Sequence, residues 1–574
     1  MTPPRAVARI VPGALRWAPV VTVAAFALPI AAGLLGTALP AFGVVPAIGA
    51  HTFGLGPWRD LLDQPGFGSA LQLTLVTGLL TTLIAVLAAI GLAALVQQRA
   101  WGQRLGTLIA PVLAAPHSAL AIGLAFLIAP SRWLVRLVSP ALTGWELPPD
   151  VSTVGHPSGW ALICGLLLKE VPYLMLMTLG ALNQVNAQPY LSAARSLGYG
   201  PVQAYLKVLL PLVYPQIRLP VYAVLAFSLS VVDVAMILGP GNPPTLAVLA
   251  VRDFSDPDLQ RVLPASAAAL LLLAVVAASI AAWRALEWAL AAWGRGWIAR
   301  GYRRGPIAAA AALAGGACGL LFAATVLASV ALLIWSFAQQ WRYPAALPTV
   351  WTLANWLRQG SAALPPLLHT LAIGACATAV AALLVIACLE NEAQRGTATA
   401  RGWSARSLWL LYMPLLVPQV AFLFGVQVLL VRAGLDATWM AVAWVHLVFV
   451  LPYFFLSLAD PWRAFDARYA RTAASLGASR WRVFWRIKLP ILLKPTLIAC
   501  AVAFAVSVGQ YLPTLFAGSG RVATLTTEAV TLSSGADRRV TAVWAVLQAL
   551  LPFVAFAAAA LVPRWLYAHR RALA

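Results

Sequence analysis

Apolar runs long enough to cross a bilayer recur along the whole chain, and no other feature limits its fold as tightly. A span needs about 20 apolar residues. Such runs lie near 17–39, 69–97, 107–129, 158–183, 216–239 and 262–290. The series resumes near 307–338, 365–389, 407–432, 440–459, 496–517 and 540–563. Hydrocarbon offers the backbone no hydrogen-bond partner, so each run must satisfy its own N–H and C=O groups and form a helix. The expectation is an all-α polytopic membrane protein with about 12 transmembrane helices. The chain is 61% hydrophobic and 10% charged, whereas a soluble domain carries about 25% charged residues.

The net charge of +22 raises the question of a nucleic-acid partner, but its placement answers differently. Arg5, Arg9 and Arg16 precede the first run, Arg295, Arg300, Arg303 and Arg304 fill the middle of the chain, and Arg564, Arg570 and Arg571 close it. With both termini cytoplasmic, most lysines and arginines fall on the cytoplasmic side, as the positive-inside rule requires. The charge therefore orients the chain in a lipid bilayer. No basic soluble module is present, and no nucleic-acid partner is expected. The N-terminal apolar stretch is too long for a signal-peptide core and reads as an uncleaved first helix. The five cysteines sit in apolar runs without metal spacing and read as small packed residues. No His, Cys, Asp and Glu cluster has ligand spacing, and no nucleophile–base arrangement stands out. Neither a metal site nor a catalytic residue is expected, and the chain does not read as an enzyme.

The chain is duplicated. Ser192-Ala193-Ala194-Arg195-Ser196-Leu197-Gly198 is followed, nine residues on, by Val208-Leu209-Leu210-Pro211. Arg471-Thr472-Ala473-Ala474-Ser475-Leu476-Gly477 is followed at the same distance by Ile487-Lys488-Leu489-Pro490. The two glycines are 279 residues apart (477 less 198). Further pairs match in the same order: Thr74-Leu75 and Gly78 with Thr370-Leu371 and Gly374, Pro116 and Gly123 with Pro418 and Gly425, Pro172-Tyr173 with Pro452-Tyr453, Phe227, Ser230 and Asp233 with Phe504, Ser507 and Gln510, and Thr245-Leu246 with Thr524-Leu525. The organisation expected is a first repeat over 1–292 with its polar loop at about 187–215, a basic linker over 293–306, and a second repeat over 307–574 with its loop at about 464–495. Six helices is an even number, so the two six-helix repeats are parallel, related by a pseudo-two-fold axis along the membrane normal. Outer loops are expected near 40–68, 130–157, 240–261, 340–364 and 518–539. Their Trp58, Trp133, Trp145, Trp341, Trp351 and Trp356 read mainly as interfacial anchors.

Each polar loop reads as an elbow. Ala193 to Leu197 favours helix, Gly198 permits a left-handed bend, and Pro201 suits the first turn of a second helix. Val202, Tyr205, Leu206 and Leu209 recur at helical spacing, and Pro211 and Pro215 are expected to end or bend that helix. The second loop keeps the plan, with Gly477 and then Val483, Phe484 and Ile487 among Arg480, Arg482 and Arg486. A protruding elbow with aromatic and basic side chains suits a groove on another protein. An amphipathic helix lying on the inner leaflet fits the first copy poorly, because Gln203 and Lys207 supply little charge.

Both loops resemble the EAA loop of binding-protein-dependent ABC importer permeases, whose pattern is Glu-Ala-Ala, three residues, Gly, nine residues, Ile-x-Leu-Pro. Ala193, Ala194, Gly198, Leu210 and Pro211 match in the first copy, with Val208 for isoleucine; Ala473, Gly477, Ile487, Leu489 and Pro490 match in the second. Ser192 and Arg471 stand where the family has glutamate, and Thr472 where it has the first alanine. The fused two-copy form looks most like permeases of thiamine, iron(III) and polyamine uptake. The resemblance implies that the loops are coupling helices docked on two copies of an ATP-binding cassette ATPase, which would hold the ATP and Mg. It also implies an outer solute-binding protein and residence in the bacterial inner membrane. The chain has no Gly-x4-Gly-Lys-Ser/Thr loop of its own, so it needs no cofactor itself.

Charge inside a span is costly and faces the bundle interior or water. Lys169 and Glu170 lie in the fourth run, Asp233 in the fifth, and Gln510 matches Asp233 in the second repeat. Two readings stand: these residues line a translocation pathway and favour a cation, or Lys169 pairs with a carboxylate such as Asp233 to position helices. His369 and His446 read as packing or interface residues. A gradient-driven secondary transporter of twelve helices accounts for the topology equally well, but not for two elbows.

Overall fold

The computed structural model describes residues 13–96, 112–303, 307–395, 405–535 and 537–567. Arg5, Arg9, Arg304, Arg570, Arg571 and the start of the third apolar run lie outside the described residues. Among the described residues ten helices are long and apolar enough to cross a membrane, and two bent helix pairs, each taken as one span, bring the number to 12. The first repeat has spans at Gly13–Ala41, Phe67–Val96, His117–Ile128, Trp160–Val185, Leu210–Ser230 and Val262–Ala299. The second has Ile307–Phe337, Ala354–Arg395, the pair Ala405–Leu416 and Gln419–Arg432, then Trp439–Arg463, Leu493–Val508 and Arg538–Leu566. Among the described residues the one sheet is a short ribbon, Ala338–Gln340 against Val350–Trp351.

Several spans that read as uninterrupted are broken. The ninth turns by 86° between Leu416 and Gln419, where Pro418 removes a donor and restricts the residue before it. Pro116 stands at the matching place before the third. The fifth span stops at Ser230 and resumes as Asp233–Leu238; the eleventh stops at Val508 and resumes as Leu512–Gly518. Val231 and Val232 carry no breaker, so hydropathy alone shows nothing there.

Two of the expected outer loops, 240–261 and 518–539, hold the helices Leu246–Phe254, largely buried, and Leu525–Ser533, buried along one side. Their first N–H groups are caught by the second and eighth spans. Thr74 Oγ1 accepts from Leu246 N at 2.8 Å while donating to Ala70 O at 2.8 Å. Thr370 Oγ1 accepts from Leu525 N at 3.0 Å while donating to Pro366 O at 2.7 Å. The two duplicated Thr-Leu pairs of each repeat thus meet in space. Trp133 and Trp341 are not interfacial anchors either. Both are buried, and their indole N–H groups donate to Ala346 O at 3.1 Å and Ala345 O at 2.8 Å. Buried Arg136, on the short helix Trp133–Val138 after the third span, donates beside them to Arg342 O at 2.9 Å and ties that segment to the loop after the seventh span.

The repeats exchange their first helices. The first span packs on the eighth, ninth and tenth, and the seventh packs on the second and third. In lipid such contacts need close backbone approach through small residues. A Cβ on Gly36 would stand 2.8 Å from Gly425 Cα, and one on Gly425 would overlap Gly33 O. At the equivalent contact a Cβ on Gly123 would stand 2.8 Å from Ala328 O.

Gly425→Leu should therefore lower thermal stability of the detergent-purified chain by an amount typical of overpacking, about 1–3 kcal/mol or more. Gly319→Ala, with open space around it, should leave the melting curve unchanged; equal effects of the two would refute backbone contact between the repeats. Thr74→Val and Thr370→Val each leave a buried N–H unpaired, at about 1–3 kcal/mol. Because the sites are separate, the two losses should add in the double variant, as read by thermal unfolding.

Candidate coupling elbows and intramembrane charge cluster

Each elbow is built by the same local rules. Helix Ala187–Ser196 ends at Leu197, and Gly198 follows with φ +82°. Gly198 N donates to Arg195 O at 2.8 Å and Tyr199 N to Ala194 O at 3.1 Å. Helix Ala467–Ser475 ends the same way: Gly477 has φ +80°, its N–H reaches Ala474 O at 3.0 Å, and Ala478 N reaches Ala473 O at 3.0 Å. These paired bonds are a Schellman cap, which needs a residue free to adopt the left-handed region. The next helix starts at Pro201 in one copy. In the other it starts after Ser479, whose hydroxyl accepts from Arg482 N. Asp466 caps the first helix of the second elbow, and its carboxyl is held below the usual range by hydrogen bonds from the Arg468 backbone and side chain.

The apolar face read from the sequence turns inward. Val202, Tyr205 and Leu209 are buried against the protein's own helices. Pro211 does not end the helix. A π-helical turn, Tyr205–Leu209, carries it straight into the fifth span, because the wider turn accommodates the missing donor. The second copy does bend, by 73°, after Ile491. In both copies outward residues lie around the glycines: Tyr190 and Leu197 are 47% and 60% exposed, and Tyr469 and Leu476 are 58% and 83% exposed, while the second copy also exposes Trp481 and Trp485 on its second helix. Both pairs keep the 279-residue spacing of the glycines. That spacing would have revealed Tyr190 and Tyr469, which motif reading missed. Ser192, Ala193, Arg471 and Thr472 are exposed beside them, while Ala194 and Ala473 are buried.

Each elbow is held by an inward lysine. Lys207 Nζ donates to Tyr302 O at 2.9 Å and lies 4.5 Å above the Trp297 ring. Lys488 Nζ pairs with Glu390 Oε2 at 2.6 Å and lies 4.6 Å above the Trp462 ring. The basic linker also touches the first elbow, where Gly200 N donates to Arg303 O at 3.4 Å. No atom lies within 4 Å of a Cβ built on Gly477. Glu390 lies at the edge of an apolar run, where a carboxylate reads as a boundary and not as a partner.

Inside the membrane the structure gives Lys169 a different partner from the one expected. Its Nζ donates to Ala115 O at 2.8 Å, and among the described residues no ion pair joins it to Asp233. Glu170 Oε1 meets His117 Nε2 at 3.3 Å. The two adjacent side chains thus clasp the chain on either side of Pro116. His446 does the equivalent work for the eleventh span, bonding Ser507 Oγ at 2.8 Å and Thr514 Oγ1 at 2.9 Å, one residue on each side of the break. Asp233 and Gln510 occupy the matching breaks. The break of the eleventh span touches the helix that follows the break of the fifth, where Tyr511 Oη contacts Met236 Sδ at 3.7 Å. Tyr173 and Tyr453 lie within electrostatic reach of Glu170, and Tyr412 within reach of both tyrosines. His117 and Tyr412 escaped sequence reading because each lies inside an apolar run, 107–129 and 407–432, where one isolated polar ring breaks no pattern.

Comparison with known proteins places this architecture. Residues 147–288 and 407–569 each match the family described as binding-protein-dependent transport system inner membrane component. The inner membrane ABC transporter permease protein YnjC of Escherichia coli (strain K12) is 34% identical over 569 residues, covering 97% of this chain and 98% of that protein. The molybdenum transport system permease protein ModB of Mycobacterium tuberculosis is 31% identical over 30% of this chain and 70% of its own. The putative 2-aminoethylphosphonate transport system permease protein PhnV of Salmonella typhimurium is 28% identical over 31% of this chain and 66% of its own. With the family domain present twice and a full-length relative of the same kind, the chain belongs to the binding-protein-dependent ABC transporter permeases of the inner membrane, in a form that fuses two of them.

Proposed function

We propose that this permease passes its solute between the two repeats, 1–292 and 307–574, and is driven through its two elbows by two copies of an ATPase subunit. ATP and Mg are held on those subunits. The observation that carries the reading is the repeated outward pair, Tyr190 and Leu197 in one elbow and Tyr469 and Leu476 in the other. Apolar side chains around a capped glycine form a compact knob for a groove. The first knob leads through its glycine turn into the helix that becomes the fifth span, and the second through a 73° hinge into the eleventh, so a push on an elbow is passed toward Asp233 or Gln510. The termini and the linker 293–306 are cytoplasmic in this reading, and a solute-binding protein docks on the opposite face. A gradient-driven transporter has no use for two such knobs.

The solute we propose is a small cation, such as thiamine, a polyamine or iron(III). This cluster holds two carboxyl groups, Glu170 and Asp233, against one amine, Lys169, and Tyr173 and Tyr453 lie near Glu170. The substrates named for ModB and PhnV belong to proteins that match less than a third of this chain and are not carried over.

Leu197→Glu with Leu476→Glu should abolish co-purification of the ATPase from native membranes at unchanged permease expression. Each single variant should weaken it about 30-fold, the effect of losing a hot-spot side chain of about 2 kcal/mol. Retention of the ATPase by the double variant would overturn elbow docking. In proteoliposomes with the cognate ATPase and binding protein, Glu170→Gln should cut cation uptake about tenfold or more while the melting temperature holds, because the amide still reaches His117. Uptake of an oxyanion in place of a cation would overturn the solute assignment.

A further inference from the structure

We propose that a cavity between the fifth, sixth and ninth spans is a binding site for one anionic phospholipid, with its phosphate on Arg218 and Arg284. The cavity has a volume of about 470 Å³ and is walled by Leu219, Ile280 and Trp409 on its apolar side and by Arg218, Tyr222 and Arg284 on its polar side. That volume suits a headgroup and the first part of the acyl chains.

The charge balance at its base specifies the ligand. Glu287 is buried. It accepts from Tyr214 Oη at 2.9 Å, Arg218 Nε at 2.9 Å, Tyr222 Oη at 3.1 Å and Arg284 Nη1 at 2.9 Å. A carboxylate has about four acceptor sites, so Glu287 is saturated. It holds two guanidinium groups together without cancelling both charges, and one positive charge remains. Each guanidinium carries five N–H donors, only one nitrogen of each faces Glu287, and the two side chains are 31% and 52% exposed. Two forks held side by side at a cavity mouth match the geometry of a phosphate.

The depth and the walls favour a lipid over a free anion. Arg218 lies seven residues, about 10 Å of helix, beyond Pro211, where the first elbow enters the fifth span. Trp288, one turn past Arg284, is exposed, as is Trp293; exposed tryptophans on a span mark the headgroup level. Basic pockets between spans at this level bind anionic headgroups, and only an acyl chain has use for Leu219 and Ile280. The second repeat does not keep the first arginine: the fifth-span matches Phe227 with Phe504 and Asp233 with Gln510 are 277 residues apart and put Pro495 in place of Arg218.

The test is native mass spectrometry of the full chain in mixed micelles containing phosphatidylglycerol or phosphatidylcholine. One phosphatidylglycerol per chain should be retained at a concentration at least tenfold below that needed for phosphatidylcholine. Ala281→Trp, which fills the cavity without touching a charge, should abolish retention. Arg284→Gln, which leaves the Arg218–Glu287 pair intact, should weaken it about tenfold, and this arm stands even where the tryptophan variant misfolds. Equal retention of the two lipids, unchanged retention in Arg284→Gln, or displacement of the lipid by millimolar inorganic phosphate would each overturn the proposal.

Discussion

The rest of this structure depends on one constraint: a backbone N–H or C=O inside hydrocarbon must find a partner within the protein. Every break in a span frees such groups, and each leaves a cost of several kcal/mol unless met. The chain meets them with side chains at fixed places. Thr74 and Thr370 catch the first N–H of the two buried helices after the breaks. Lys169 takes the carbonyl before Pro116, and Thr526 takes the carbonyl of Val508 at the eleventh-span break. The polar residues of the membrane interior are thus arranged first around interrupted backbone. That is why Lys169 and Glu170 sit where helices kink.

The breaks give the elbows something to act on. In the first copy the helix that starts at Pro201, its π-helical turn and the fifth span form one unbroken helical path beyond the capped glycine. It ends at Val231, beside the counterpart break of the other repeat. In the second copy the path is hinged by 73° instead, and the first elbow alone carries the linker against its glycine face. Two similar knobs therefore meet unequal mechanical surroundings. The exchange of first helices through Gly33, Gly36, Gly425 and Gly123 binds the repeats so that neither can move as an isolated bundle.

The spans, the duplication and the glycine bends were legible because each is a local property. Hydropathy over about 20 residues, a fixed spacing between matching motifs, and a glycine where a left-handed residue is needed all survive in one dimension. The reading went astray where the partner is distant in sequence. The apolar face of Val202, Tyr205 and Leu209 was correctly read as a face but assigned outward. Trp133 reads as an anchor because its carbonyl partner at Ala346 lies in another element, and Trp341 because the turn that brings Ala345 O to its indole leaves no pattern in the sequence. Lys169 was matched to a carboxylate because sequence displays charges, and a free carbonyl leaves no mark in it.

The sequence by itself determined the solvent of this protein, its helical class, its two-fold internal repetition and the position of both elbows. Those follow from the energy of apolar groups in lipid and from the conformational freedom of glycine, which act residue by residue. Only the tertiary structure decided which repeat each first helix serves, which face of each elbow remains outside, and what satisfies each buried charge. Those depend on which surfaces approach to within a hydrogen bond or a van der Waals contact, and in hydrocarbon that is settled by the packing of all twelve spans together.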